Sequence, residues 1–216
     1  MADVTTDGIL KSSIPDRRDS LAERYDANID LILQAAAQVF SEKSFGVATI
    51  RDIAAEAGIT FSRIYYYLRN KDEILYLISR NAFERLIRLA EQQITNIRDP
   101  EEQLKAFIKS HLEYHMSNLA EMKVLVREAD SLSGAHAAQI AKLKRDYSRL
   151  FRRIVEGVAA KRAATIDAER ARIVTSLLFG AMNWFYTWYD PSKDYTRRGR
   201  IIDEVYRMAL ATIVRP

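Results

Sequence analysis

An all-α fold is what three features of this 216-residue chain predict. Apolar residues recur at the three-to-four spacing of amphipathic helices along most of it. Few stretches alternate apolar and polar residues as a strand would. The two loop-forming residues are scarce, with 7 glycines and 4 prolines. About nine helices are expected, in a chain long enough for one large domain or two small ones with a real core.

The elements follow in order. Residues 1–24 are polar, mixed in charge and aperiodic, and read as a mobile tail. A first helix is expected from Ala27 to Ser44, with Ile29, Ile32, Ala36, Val39 and Phe40 as its apolar stripe and Gly46 as its stop. Thr49 opens a short helix, with Asp52 three residues on as a variant capping box, and Gly58 ends it. Thr60 is positioned to cap a second short helix running to Leu68. Asn70 caps a long one, with Asp72 and Glu73 in the first turn where the helix dipole favours anions. Asp99-Pro100 starts another, since proline is tolerated at a first helical position. A break at "SLSGAH" precedes a charged helix over 135–161. Thr165 is expected to cap a helix that Pro191 ends, and a last helix spans 194–214. Three helices thus make an N-terminal module over 25–72, and 73–216 forms a second helical unit.

Composition excludes several classes of function. With no cysteine, disulfides, thiolate metal sites and a cysteine nucleophile are out of reach. There is no glycine-rich phosphate loop, no Gly-x-Ser-x-Gly elbow, and only 3 histidines, so an enzyme is disfavoured. No apolar run approaches the length needed to span a bilayer, and the N-terminus lacks a signal-like apolar stretch, so a cytoplasmic protein is expected. The net charge of +4 is no argument for nucleic acid. Residues 1–75 hold 9 Lys+Arg against 12 Asp+Glu, and the basic surplus lies beyond them.

Local placement of groups is more telling. "GITFSRIYYYLRNKDEIL", residues 58–75, sets three consecutive tyrosines among cations. Successive helical side chains point about 100° apart, so the three cannot all face a core. Two short helices joined by "AGIT" form a helix-turn-helix, whose second helix can enter a DNA groove. Arg63 can fork onto guanine or grip a phosphate, Phe61 can touch a thymine methyl, and the phenols of Tyr65 and Tyr67 can donate to phosphates. Ile59, Ile64 and Leu68 anchor the helix, and Lys71 can reach a phosphate. An ordinary helical corner with packed aromatics is the competing interpretation of the same spacing.

"TIRDIAAEAGITFSRIYYYLRNKDEIL" resembles the signature of TetR-family transcriptional regulators, through Thr49, Ile53-Ala54, Ala57-Gly58-Ile59, Thr60, Tyr65 and Lys71. The resemblance implies an N-terminal helix-turn-helix DNA-binding domain, a C-terminal ligand-binding and dimerisation domain, and double-stranded operator DNA as partner. It implies phosphate contacts from Thr49, Tyr65, Tyr67 and Lys71, and places Arg51, Phe61, Ser62 and Arg63 near base edges. Thr60 belongs to the same DNA-binding set, while Tyr66 is expected to pack back toward the first or fourth helix. Ser62 stands where many members have glycine and Leu68 where many have phenylalanine, so no operator sequence transfers.

Members of this family are typically homodimers joined by their last two long helices. Leu177, Ala181, Trp188, Ile202, Val205 and Ala209 are the candidate interface residues. His111 and His115 share a helix face, and with Arg127, Asn183, Trp184 and Thr187 they are the candidate effector-binding residues. A third metal ligand is not evident and "HLEYH" is not the metalloprotease order, so no metal is expected; nor is a cofactor. "LVREADSLSGAHAAQIAKLKRDYSRLFRRIVEGV" and "FGAMNWFYTWYDP" are similar to a subgroup whose effectors are CoA thioesters. Arg127, Lys144, Arg145, Arg149, Arg152 and Arg153 would meet the phosphates, with Leu125, Met182, Trp184 and Phe185 around the acyl chain. A solvated basic face is the alternative for those cations. The whole reads as a ligand-responsive repressor released from a palindromic operator by a small molecule, against a helical interaction protein or an enzyme.

Overall fold

The computed structural model describes residues 17–215, with side chains described from Glu23 onward. Among them are nine α-helices of seven residues or more, one single-turn α-helix, and no strand. Of the expected tail, residues 1–16 lie outside the described part. From Arg17 the chain is already helical, so α1 (Arg17–Lys43) begins ten residues before the apolar stripe suggests. The sequence of its first turns, "RRDSLAERYD", shows no apolar periodicity, and Tyr25 there rests on Tyr67 with ring centroids 5.0 Å apart.

Helix α1 ends at Lys43, and Ser44, not Gly46, takes the left-handed conformation that stops it, with φ of 68°. Helix α2 (Ile50–Glu56) opens on a complete capping box. Thr49 N–H donates to Asp52 Oδ2 at 2.8 Å, and Asp52 N–H donates to Thr49 Oγ1 at 3.2 Å. It closes on Gly58, whose φ of +64° allows Ile59 N–H to reach back to the Ala54 carbonyl at 3.0 Å and Gly58 N–H to reach that of Ala55 at 3.2 Å. An L-residue at this position would be strained. Helix α3 (Phe61–Tyr67) then starts in a new direction, without the expected side-chain cap from Thr60.

Asn70 caps α4 (Lys71–Ile94) by accepting from Glu73 N–H at 2.8 Å. Helix α5 (Pro100–Ser117) starts on Asp99, which accepts from Glu101 N–H at 2.8 Å. After α6 (Leu119–Glu128) comes a 3-10 turn, and then α7 (Gly134–Lys161), the charged helix the sequence predicts. Helix α8 (Ala168–Asn183) is capped by Asp167 rather than Thr165. It does not continue to Pro191. Residues Trp184–Thr187 tighten into a 3-10 turn, followed by the single-turn α9 (Pro191–Asp194), a further 3-10 turn and α10 (Arg198–Val214).

Helices α4, α5 and α7 pack mutually as the centre of the C-terminal bundle, with α8 and α10 against them. Phe107, Phe151 and Phe185 are fully buried there. Removing each such ring from water contributes about 2–3 kcal/mol. At the far end, Gly157 permits the close approach of α7 to α5, because a Cβ added there would sit 3.3 Å from Pro100 Cβ. Lys161 and Arg162 clamp the same junction onto Asp99 and Glu101. Helix α1 packs on α2 and α3 on one side and on α4 and α6 on the other, so it joins the two halves of the molecule.

Candidate nucleic-acid interface and effector site

Helix α3 presents its side chains by phase. Ile64 and Leu68, four residues apart, are buried and set the inward direction. Tyr67 stands three residues after Ile64 and leans inward onto Tyr25. Tyr66, two residues after Ile64, points the other way and is 75% exposed. This corrects the expected roles: Tyr66 is the outward phenol and Tyr67 the one packed on the first helix. The signal was present in the sequence, since at about 100° per residue Tyr66 lies roughly opposite Ile64.

Phe61, Ser62, Arg63 and Tyr65 are exposed alongside Tyr66 on the same outward surface. Phe61 packs edge-on to Tyr65 at 4.9 Å and lies 5.8 Å from the Arg51 guanidinium. Arg63 donates to Asn28 Oδ1 at 2.9 Å, which holds its fork against α1. Thr49 and Thr60 are exposed at the starts of α2 and α3. Lys43 bonds Asp52 at 2.7 Å, and with the Thr49 donors this holds the Asp52 carboxyl well below the usual carboxylate range.

Lys71 is not a free surface cation. Its ammonium donates to the carbonyls of Phe45 at 2.6 Å and Ala48 at 3.0 Å, so one hydrogen remains for another partner. All nine expected DNA-binding residues lie at exposed or half-exposed positions, and seven of them have no side-chain bond to the backbone: Thr49 Oγ1 accepts from Asp52 N–H, and Lys71 braces the corner.

The expected effector residues do not all converge. His111 and His115 are buried on α5, with ring centroids 4.5 Å apart, and Asn183 at the end of α8 faces both. Tyr147 of α7 completes this group, its hydroxyl 3.0 Å from His111 Nδ1. Burial, and for His111 also the neighbouring His115, pushes both imidazoles down, His115 to about 4. Both are neutral at pH 7. The Asn183 side chain acts against that shift at both rings, although neither His111 Nε2 nor either nitrogen of His115 has a hydrogen bond of good geometry. Arg127, Trp184 and Thr187 stand apart. Arg127 is exposed on α6, Trp184 is 62% exposed, and the Thr187 hydroxyl is spent on the Trp184 carbonyl at 2.7 Å. Among the described residues no group of three or more His, Asp or Glu side chains could hold a metal ion, and no helix is long and apolar enough to cross a membrane.

The expected interface residues also divide. Ile202 and Ala209 are buried inside the chain's own bundle and cannot be interface residues. Each lies on the side of α10 that faces α5, α7 and α8. Leu177 and Trp188 are 61% and 54% exposed, Ala181 is exposed and Val205 half-buried. Ile173, Trp184 and Met208, also exposed, add to the uncovered apolar side chains of this end of the bundle. Of the proposed phosphate cations, Lys144, Arg145, Arg149 and Arg153 are exposed on α7, where Arg149 and Arg153 line a cleft of about 580 Å³ against α4. Met182 and Phe185 lie in the core, and Leu125 is buried as well.

An all-helical chain with this helix-turn-helix and a separate helical bundle has the architecture of a one-component transcriptional regulator. Residues 98–213 match the tetracyclin repressor-like C-terminal domain, and residues 32–76 match the bacterial regulatory proteins of the tetR family. The first match spans more than half of the chain, which belongs to the TetR family. The HTH-type transcriptional regulator HbdR of Aromatoleum sp. (strain CIB) is 36% identical over 73 residues, 34% of this chain and 32% of that protein. The HTH-type transcriptional repressor KstR2 of Mycolicibacterium smegmatis is 27% identical over 119 residues, 55% of this chain and 56% of that protein. The alignments thus span about a third and about half of these relatives' lengths.

Solved structures share the fold. The ketosteroid transcriptional regulator KstR2 of Mycobacterium tuberculosis superposes with a TM-score of 0.76 at 19% identity, covering 89% of this chain and 96% of that one. AibR, solved in complex with isovaleryl coenzyme A and operator DNA, gives 0.71 at 19% identity, covering 89% and 99%. At such identities the likeness is one of fold.

Proposed function

We propose that this TetR-family regulator binds a palindromic operator as a homodimer through residues 25–72, and that a small-molecule effector held by residues 73–216 releases it, so that the outcome is repression. The observation that carries the DNA reading is the phase of α3. Ile64 and Leu68 hold it from below, while Phe61, Ser62, Arg63, Tyr65 and Tyr66 cover its outer surface. Such a helix presents base-reading and phosphate-holding groups together. The uncovered Leu177, Trp184 and Trp188 support an isologous dimer, whose twofold axis suits two half-sites.

A CoA thioester is the effector class this reading favours. The solved neighbour AibR holds isovaleryl coenzyme A, and here α7 carries arginines beside a bundle with an aromatic interior. Helix α4 runs from Lys71 in the DNA-reading half to Ile94 in the bundle. An effector that prefers a different tilt of α4 would change the spacing of the two α3 helices. A gel-shift titration on DNA flanking the gene tests the whole. Binding with log Kd rising steeply with log salt, and release by acyl-CoAs, is expected. Arg63→Ala should alter the preferred sequence by about 1–3 kcal/mol at one base pair. Absence of any salt-dependent complex removes the regulator reading in favour of a helical interaction protein; a complex unmoved by any acyl-CoA removes only the effector class.

A further inference from the structure

Two contacts tie the early turns of α1 to the side of α3. Arg63 Nη2 donates to Asn28 Oδ1 at 2.9 Å, and Tyr67 packs on Tyr25 with ring centroids 5.0 Å apart. Arg63 and Tyr67 are four residues apart on α3, and Tyr25 and Asn28 three apart on α1, so each pair shares a helix face. Two contacts one turn apart oppose rotation of α3 about its own axis, as a single contact would not. Both α1 residues precede residue 32, where the match to the tetR-family segment begins.

The half-buried amide of Asn28 has one workable orientation. Its Nδ2 donates to the Arg24 carbonyl at 2.5 Å, which leaves Oδ1 to accept from Arg63. A flipped amide would set N–H against guanidinium and oxygen against carbonyl. Asn28 is thus a fixed acceptor.

A guanidinium carries five N–H groups in a rigid planar fork. It has two edges suited to a bidentate contact, one formed by Nε and Nη2, the other by Nη1 and Nη2. Each edge needs one of the two Nη2 hydrogens. The bond to Asn28 occupies one of them, so one edge is spent and the other stays complete. Arg63 is itself exposed, so the complete edge remains available to DNA.

We propose that Asn28 is a specificity-determining positioning residue: it takes one hydrogen of Arg63 Nη2 and commits the fork to a single edge for guanine O6 and N7. Holding a long side chain in place also lowers the cost of ordering it on binding. Without Asn28, Arg63 can present either edge or turn to a phosphate, and reads sequence less strictly. This rests on the base-edge reading of Arg63 above and extends the DNA-reading set to α1.

Selection of duplexes from a randomised pool by the full chain gives the preference at each base pair, and titration with mixed-sequence duplex gives the sequence-independent affinity. Arg63→Ala identifies the guanine position by losing the preference there. Asn28→Ala should lower discrimination at that same position by about threefold to tenfold. The other positions, the mixed-sequence affinity and the melting temperature should stay unchanged. Asn28→Asp keeps an acceptor and should retain the discrimination, while its charge weakens binding to all duplexes alike. In an Arg63→Ala background, Asn28→Ala should have no further effect at that position. Discrimination unchanged or sharpened by Asn28→Ala, lost equally at all positions, lost in Asn28→Asp as well, or still lowered in the Arg63→Ala background overturns the proposal and leaves Arg63 its role. If Arg63→Ala alters no position, the base-edge reading of Arg63 fails first, and this inference falls with it.

Discussion

Lys71 Nζ lies 2.6 Å from the carbonyl oxygen of Phe45 and 4.5 Å from the centre of the Phe45 ring. With the second bond to Ala48, one ammonium ties the first residue of α4 to the loop that opens the helix-turn-helix. The helix that reaches into the bundle is thereby joined directly to the DNA-reading corner. A tilt of α4 must carry that loop with it or break these bonds.

Lys71→Met should thus act on the fold before it acts on DNA. It strands two half-buried carbonyls and removes a charged donor, a loss of about 2 kcal/mol in unfolding free energy. Urea denaturation measures it. An unchanged midpoint would show that Lys71 is a surface cation after all.

Tyr66→Phe and Tyr67→Phe should behave differently in the gel shift. Removing the exposed Tyr66 hydroxyl weakens operator binding about equally across sequences and leaves stability alone, as Tyr65→Phe does. Tyr67→Phe keeps the ring on Tyr25 and changes little, whereas Tyr67→Ala lowers stability by about 1–2 kcal/mol through lost packing. Equal effects from Tyr66→Phe and Tyr67→Phe would mean that α3 rotates on binding.

Leu177→Glu should produce a folded monomer. The side chain is 61% exposed in the single chain, so the substitution costs the protomer little, while a charge facing its own copy across a twofold axis opposes association. Analytical ultracentrifugation reads the outcome. A dimer that persists with unchanged affinity would move the interface elsewhere.

Stability should fall as the pH is lowered from about 6.5 toward 4. Both histidines are held neutral in the fold, His115 down to about 4, while in the unfolded chain they take up protons near 6.5. The unfolded state binds more protons across that window, so acid favours it, by about 3 kcal/mol from His115 alone. The signed expectation is full stability above pH 6.5 and progressive loss below. Replacing both histidines by leucine should flatten this part of the profile. A urea midpoint constant from pH 7 to 5 in the unsubstituted protein would contradict it.

Much of this molecule could be read along the chain because the relevant physics is local. Capping by Thr49, Asn70 and Asp99 depends on residues two or three positions away, and the positive φ of Gly58 is a property of one residue. Ile64 and Leu68 were legible as anchors by the same helical phase that, followed one step further, singles out Tyr66. The start of α1 at Arg17 was not legible, because the sequence there shows no apolar periodicity.

The linear order of residues determined the helices, their approximate ends and the motif that marks the DNA-reading half. Packing alone decided that Lys71 braces Phe45, that Ile202 and Ala209 turn into their own bundle, and that the two histidines of α5 are buried beside Tyr147 and Asn183. The reason is range. A cap or a turn is settled by bonds within a few residues, whereas burial depends on which of several apolar faces another helix covers, and no local preference specifies that neighbour.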